Sequence, residues 1–138
     1  KLGVSNVPAS LVRGYSDAAV NLGRGGASKV VQMACNTKLN PGDSDEWIDV
    51  DGAVGAGTRR AIDSANLTYW DWYAELSMWY ANLILKGSRF SNERTTQHRF
   101  QRGWFRRLLT NFFDDRIDEM SIEELEEILE KKKEAENG

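Results

Sequence analysis

The stretch "TYWDWYAELSMWYANLILKG", residues 68–87, decides the fold class, because it is the clearest helix in the chain. Thr68 is a favoured N-cap residue, and Gly87 is the residue type that most often follows the end of a helix. We therefore predict a helix over 69–86. The remaining segments determine what packs against it.

Three shorter helices are predicted before this stretch. Apolar residues three or four positions apart predict a helix over 8–21, which the loop "NLGRGG" ends. A second helix, over about 26–36, turns Val30 inward and Gln32 outward. A third helix begins at Thr58 and ends near residue 65.

Two helices are predicted after it. Over 91–113 an apolar residue recurs every four positions, and a stripe this wide on a charged helix requires a partner helix. Ser121 and Glu124 form a capping box for a helix over 121–136. The chain is thus predicted to be all-α, a compact orthogonal domain of about five helices plus a C-terminal charged helix. We assign 1–113 to the helical domain, with 37–57 as an acidic loop insertion, and 114–138 to an acidic C-terminal helix or tail.

Composition limits the class of protein. A chain of 138 residues can form one core, and no apolar run approaches the length of a membrane-spanning helix. Cys35 is the single cysteine, so no internal disulfide is possible, and we expect its side chain to be buried. The net charge of -3 hides a segregation: 89–109 carries six positive and one negative side chain, and 110–138 carries four and eleven. These blocks either pair with each other or face different partners.

Few residues are spaced for catalysis or for metal binding. Asp71 and Glu75 are the best local carboxylate pair for glycoside hydrolysis, but their spacing is also typical of a solvated helix face. The acidic residues of 43–51 suggest calcium, yet the side-chain oxygens that an EF-hand loop requires are missing at 53 and 55. We predict no catalytic residue, no metal site and no cofactor.

Three further segments match functional patterns only in part. His98 is the single histidine, so a histidine metal site or nucleophile relay is not expected. "GRGGASK", 23–29, lacks the Gly-Lys-Ser/Thr order of a phosphate-binding loop and favours a corner between helices. "RFQRGWFRR", 99–107, fits either core aromatics flanked by solvated arginines or a surface that stacks on sugars or bases. Nucleic acid is disfavoured as a partner, because the acidic tail would compete for these arginines.

Three segments occur in the order that is found in the C-terminal part of phage-type lysozymes. They are "DAAVNLGRGGASKVVQ" (17–32), "VDGAVGAGTRRAI" (50–62), and "MWYANLIL" followed by "RFQRGWFRRL" (78–85, 99–108). Over roughly residues 7–108 the chain resembles the glycoside hydrolase family 108 enzymes, whose C-terminal half is a predicted peptidoglycan-binding domain. The matching positions are Asn21, Gly23, Gly25, Ala27, Lys29, Gln32, Asp51, Gly52, Gly55, Thr58, Tyr80, Gly103, Trp104 and Arg107.

The resemblance implies a surface that recognises the cell wall, in which aromatic rings stack on sugars and arginines pair with stem-peptide carboxylates. The candidate glycan-binding residues are Trp70, Tyr73, Trp79, Tyr80, Arg102, Trp104 and Arg106. A second set is expected to be structural, building the glycine turns, with Thr58 capping the helix that follows. This set consists of Asn21, Gly23, Gly25, Asp51, Gly52, Gly55 and Thr58.

The catalytic glutamate of the family stands in a Glu-Gly-Gly-Tyr motif that this chain lacks, since its first glutamate is Glu46. We therefore expect a non-catalytic, peptidoglycan-binding part of a phage-type lysozyme or endolysin, an N-acetylmuramidase, found in the phage particle or the host cell envelope. One alternative is an active lysozyme whose N-terminal segment is not included here. Another is a structural or interaction protein of a phage particle, docking on other virion proteins or on itself through 121–136. No membrane partner is expected.

Overall fold

The computed structural model describes residues 7–88 and 101–137, and every regular element within these ranges is helical. A 3-10 turn, Ala9–Leu11, leads into α1, and a second 3-10 turn, Ser44–Glu46, lies in the loop after α1. The helices are α1 (Val12–Leu39), α2 (Ala56–Ala65), α3 (Tyr69–Ser88), α4 (Gln101–Glu119) and α5 (Ile122–Asn137). The predicted all-α fold is confirmed.

Helix α1 is kinked at Gly23, whose backbone has φ 76° and ψ 168°. Only glycine adopts this conformation without a large cost, because a Cβ would clash with its own backbone. The helices predicted over 8–21 and 26–36 are therefore the two arms of α1, and the expected loop between them is reduced to the kink. Each arm buries the apolar side chains expected from their spacing, which are Leu11, Tyr15 and Ala18 in the first and Val30, Val31 and Ala34 in the second.

The core lies where α1 crosses α3, with α2 and α4 packed beside them. Trp72 of α3 is fully buried, and its indole lies 6.1 Å from the ring of Tyr15. Gly14 lies directly against this indole, because a Cβ built on it would stand 2.3 Å from Trp72 Nε1. Only a glycine at this position allows α1 to approach the indole so closely.

Helix α3 begins as predicted, at a capping box formed by Thr68 and Asp71. The Thr68 hydroxyl accepts a hydrogen bond from the Asp71 N–H at 3.4 Å, and the Asp71 carboxylate accepts one from the Thr68 N–H at 2.8 Å. The helix continues through Gly87 to Ser88. Lys38 of α1 also donates to the Asp71 carboxylate at 2.7 Å, so this cap ties α3 to the end of α1.

Helix α4 continues past the predicted end at residue 113 to Glu119. The carboxylates of the extra turns receive hydrogen bonds from α1 and α3, as described below. Trp104 and Leu108 of the predicted stripe are buried, while Leu109 beside them is half-exposed. The first part of the predicted helix, including Phe100, lies outside the described residues, as does His98.

The loop between α1 and α2 folds back at Trp47 and Ile48 onto the end of α1. The Asn36 side chain accepts from the Ile48 N–H at 2.9 Å and donates to the Ile48 carbonyl at 3.0 Å. The Trp47 indole N–H donates to the Asn40 carbonyl at 2.7 Å. Between these contacts, residues 41–46 are all exposed.

Cys35 is buried, as predicted, and desolvation raises the pKa of its thiol to about 11. At pH 8 the folded protein should therefore hold only about one thiolate per thousand molecules, against about one in four after unfolding. We expect a thiol reagent to label Cys35 at least a hundredfold more slowly in buffer than in denaturant, and absorbance of the released dye measures both rates. Equal rates would contradict the burial of this side chain.

Candidate functional site

The predicted glycan-binding residues are divided between the core and the surface. Trp70 has 57% of its area exposed, Arg102 and Arg106 are exposed, and Trp79 is partly buried. Tyr73, Tyr80 and Trp104 are buried. These three rings lie in the contacts between helices. None of them therefore presents a ring face to a ligand in this conformation.

The candidates also do not meet at one place. Tyr80 stacks on Trp104 with ring centroids 4.9 Å apart, whereas Trp70 meets Phe112 at 4.8 Å. Helices α3 and α4 therefore run antiparallel, and the ten residues between Trp70 and Tyr80 correspond to roughly 15 Å of helix. Trp70 forms one group, and the residues near Trp104 and Arg102 form another at the opposite end of the helix pair.

Trp70 lies beside a groove of about 370 Å³ between the start of α3 and the end of α4. Its indole packs edge-on against Phe112, with an interplanar angle of 75°, which holds the ring in place while leaving much of it in solvent. The polar side chains of the groove are Ser10, Asn66, Thr68, Asp115, Asp118 and Glu119. An apolar ring next to polar groups is the combination that a sugar requires, because a sugar has both C–H faces and hydroxyls.

The groove carboxylates are held in position by hydrogen bonds from other helices. Asp115 accepts from Arg13 of α1 at 2.6 Å and from the Tyr73 hydroxyl at 2.6 Å. Burial, and then the bond to Asp115, raise the pKa of Tyr73, so this hydroxyl remains a donor. Since each carboxylate oxygen has two lone pairs, acceptor capacity remains for a ligand N–H or O–H.

The two outer carboxylates are fixed in the same way. Asp118 accepts from Arg13 at 2.7 Å, and Glu119 accepts from the Tyr69 hydroxyl and, at 3.3 Å, from Arg116. This group was not predicted, because residues 114–138 were assigned to an acidic C-terminal helix or tail. A signal was present: Asp115, Asp118 and Glu119 are spaced three and four apart, on one side of a helix that packs on α3.

The glycine turn at 51–58 is organised by Gln32, whose side chain is fully buried. Its amide oxygen accepts from the Gly52 N–H at 2.9 Å, and its amide nitrogen lies 3.0 Å from the Ala53 carbonyl. The same nitrogen lies 3.2 Å from both Asp51 Oδ1 and Thr58 Oγ1. The prediction that Gln32 faces outward is therefore wrong. Its side chain points inward and forms the hydrogen bonds that the polar groups of the turn would otherwise form with water.

Thr58 is buried inside α2 and does not cap it. The helix begins two residues earlier, at Ala56, with Gly55 as N-cap. The Thr58 hydroxyl instead accepts a hydrogen bond from the Gln32 amide nitrogen. The prediction that Thr58 caps this helix is therefore wrong. The structural role expected for Asp51 is supported, since its carboxylate accepts from the Ala53 N–H at 2.8 Å and from Gln32.

The two glycine-containing motifs meet in space. Gly52 has φ 79°, and a Cβ on it would lie 2.9 Å from the Gly25 carbonyl oxygen. Asn21, at the kink, donates to the Tyr80 hydroxyl at 3.3 Å. The glycine turn is therefore a corner that packs against the start of the second α1 arm.

A second hollow, of about 470 Å³, opens beside this corner. Its lining includes Trp47, Asp49, Asp51 and Thr58. The last two already contact the Gln32 amide, so their hydrogen-bonding capacity is partly used within the fold. The hollow is more open to solvent than the Trp70 groove.

Asp71 and Glu75, the carboxylate pair considered for glycoside hydrolysis, form hydrogen bonds within the fold. Burial disfavours the Asp71 carboxylate, but hydrogen bonds from Lys38 and Thr68 outweigh it and lower the pKa. Glu75 accepts from the Thr37 hydroxyl at 2.7 Å. A carboxyl with a lowered pKa is unsuited to donate a proton as a general acid. Within the described ranges, no group of three or more His, Cys, Asp or Glu side chains is placed to hold a metal ion.

The arginines in the N-terminal half of α4 differ in their contacts. Arg107 pairs with Asp17 of α1, which supports packing, while Arg102 and Arg106 are exposed. The basic and acidic blocks of the sequence thus each contact α1 through the residues that the structure describes. None of the helices in the described part of the chain is long and apolar enough to cross a membrane. Comparison with protein-family models, curated proteins and solved structures found no match for this chain.

Proposed function

We propose that the chain binds the glycan of the bacterial cell wall, as the resemblance to phage-type lysozymes implies, and that it does so at the Trp70 groove. The observation that carries this proposal is the exposed Trp70 ring beside three fixed carboxylates. Sugar C–H groups would stack on the indole, and sugar hydroxyls and acetamido N–H groups would donate to Asp115, Asp118 or Glu119.

The position of the arginines indicates how a glycan strand would lie on the protein. Arg102 and Arg106 lie along α4 toward the end opposite the groove, where the carboxylates of the stem peptides could pair with them. A glycan strand that runs along α4 from Trp70 would therefore contact the indole at one end and the two exposed arginines at the other. Binding without cleavage is the activity proposed, because Asp71 is kept ionised and Glu75 bonds to Thr37.

The test is co-sedimentation with purified peptidoglycan sacculi at low salt. The Trp70→Ala variant should bind about tenfold more weakly than the wild type, which corresponds to the loss of one stacking contact of about 1.4 kcal/mol. Met78→Ala is the matched control, since Met78 is an exposed apolar residue of the same helix outside the groove. It should bind as the wild type does.

Two results would contradict the proposal. The first is a wild-type protein that stays in the supernatant, and the second is equal loss of binding in both variants. Circular dichroism of each variant must show the same helix content, so that weaker binding is not caused by unfolding.

The alternative function, a structural or interaction protein of a phage particle that docks through its C-terminal helix, is supported by α5. This helix has no buried residue and exposes Ile122, Ile128 and Leu129. If the chain fails to sediment with sacculi but associates through α5, this alternative replaces the first.

A further inference from the structure

Helix α5 lacks the packing that stabilises the other helices. It is 16 residues long, and a helix of about this length is only marginally stable alone in water. The ion pairs Lys131–Glu127 at 3.2 Å and Lys132–Glu136 at 3.9 Å add a few tenths of a kcal/mol each at best. Exposed apolar residues on such a helix indicate a surface that becomes covered in an assembly.

The apolar residues of α5 follow a heptad pattern. Ile122 and Leu129 occupy position a, Leu125 occupies position d, and Lys132 occupies the next d position. Ile122 and Leu129 are 72% and 58% exposed, and Leu125 is partly exposed. This is the narrow stripe of a two-stranded coiled coil.

The charges of α5 fit a second copy of the same helix in one orientation only. Position e holds Glu126 in the first heptad and Lys133 in the second. In an antiparallel pair the e positions of the two helices face each other, so Glu126 of each copy meets Lys133 of the other. A parallel pair would instead set Lys132 against Lys132 at a core position and leave Glu126 opposite Ser121.

We infer that α5 mediates antiparallel homodimerisation, with Leu125 of one copy packed against Leu129 of the other. The arrangement has two-fold symmetry, so every contact occurs twice. Ile122 then lies opposite Lys132, whose aliphatic stem covers it while the ammonium group remains in water. The inference does not depend on glycan binding, since the Trp70 groove lies on the α3 and α4 body.

The dimer should be weak, because α5 supplies only two heptads where free-standing coiled coils use more. We expect the full chain to convert from monomer to dimer between micromolar and high-micromolar concentrations in sedimentation equilibrium. The double variant Leu125→Lys/Leu129→Lys should remain monomeric over that range. Its thermal unfolding should match that of the wild-type monomer, because the described core does not include α5.

A charge exchange tests the orientation. Glu126→Lys alone and Lys133→Glu alone each place like charges at both e contacts, so the dimer dissociation constant should rise about tenfold. Glu126→Lys/Lys133→Glu together exchange the partners and should restore the wild-type constant. Glu134→Lys is the matched control, because it makes the same charge change at position f, which points away from the partner helix.

Several outcomes would overturn the inference. If the wild type stays monomeric throughout, α5 is covered by its own body or by a different protein. If the leucine double variant still dimerises, another surface forms the dimer. If the charge exchange fails to restore association, the helices are not antiparallel in this register. Sacculi binding by the monomeric variant separates this result from the proposed function.

Discussion

Replacing Gly14 with alanine should lower the free energy of unfolding by about 2 kcal/mol. The new Cβ would lie 2.3 Å from Trp72 Nε1, 2.6 Å from Trp72 Cδ1 and 3.0 Å from the Tyr73 hydroxyl. Trp72 is fully buried and cannot turn aside, so α1 must move away from α3. Overpacking against a fully buried ring should cost about 3 kcal/mol, the upper end of the usual range, and the gain in helix propensity of about 1 kcal/mol offsets part of this cost.

Gly103→Ala provides a control, because Gly14 and Gly103 are both helical. A Cβ on Gly103 meets no atom of the described residues within 4 Å. This variant should therefore gain stability, by up to about 1 kcal/mol, through helix propensity alone. Urea unfolding followed by tryptophan emission measures both changes, and a Gly14→Ala protein as stable as the wild type would contradict the close crossing of α1 and α3.

Replacing Gly52 with alanine should cost about 3 kcal/mol, the largest effect that we expect from a single methyl group in this protein. Its φ of 79° alone costs an alanine about 1–2 kcal/mol. The Cβ would also lie 2.9 Å from the Gly25 carbonyl oxygen and 3.3 Å from its Cα, both of which are backbone atoms. Any relaxation of this contact would disturb the hydrogen bond from Gly52 to Gln32.

Gly57→Ala is the control within the same glycine cluster. Gly57 is helical, and a Cβ on it approaches only the flexible end of Arg60, at 4.0 Å. We expect this variant to be as stable as the wild type or slightly more stable. A thermal scan should separate the two variants by about 10 °C, given roughly 4 °C per kcal/mol for a chain of this size. Coincident midpoints would show that the corner tolerates a side chain.

The helices could be predicted because their signals are local. The caps at Thr68 and Ser121 were correctly identified, since a capping box involves residues only three positions apart. The spacing of Val30 and its apolar neighbours likewise predicted the buried side of α1. The break expected at "NLGRGG" became a kink, because the backbone of Gly23 alone absorbs the change in direction.

The role of Gln32 could not be predicted from its own helix. An amide between Val31 and Met33 reads as outward-facing when only one helix is considered. Its partners Gly52 and Thr58 are 20 and 26 positions further along the chain. Only the folded arrangement shows that these polar groups satisfy one another in the interior.

The candidate site was predicted in part. Tryptophan and tyrosine were selected for their chemistry, yet burial depends on which side of α3 faces α4. Trp70 faces outward, whereas Tyr73 and Tyr80 face α4. The groove beside Trp70 depends on the length of α4 beyond residue 113, which the acidic composition of that segment obscured.

The fastening of the loop at Asn36 and Asn40 has a practical consequence. Because Ile48 and Trp47 are held there, the two ends of the exposed segment 41–46 are fixed relative to each other. A longer segment between the same ends would leave the packing of the core unchanged. Doubling the length of such a segment costs only about 0.6 kcal/mol of chain entropy. An epitope or a fluorescent peptide inserted between Gly42 and Asp43 would therefore be displayed on the surface.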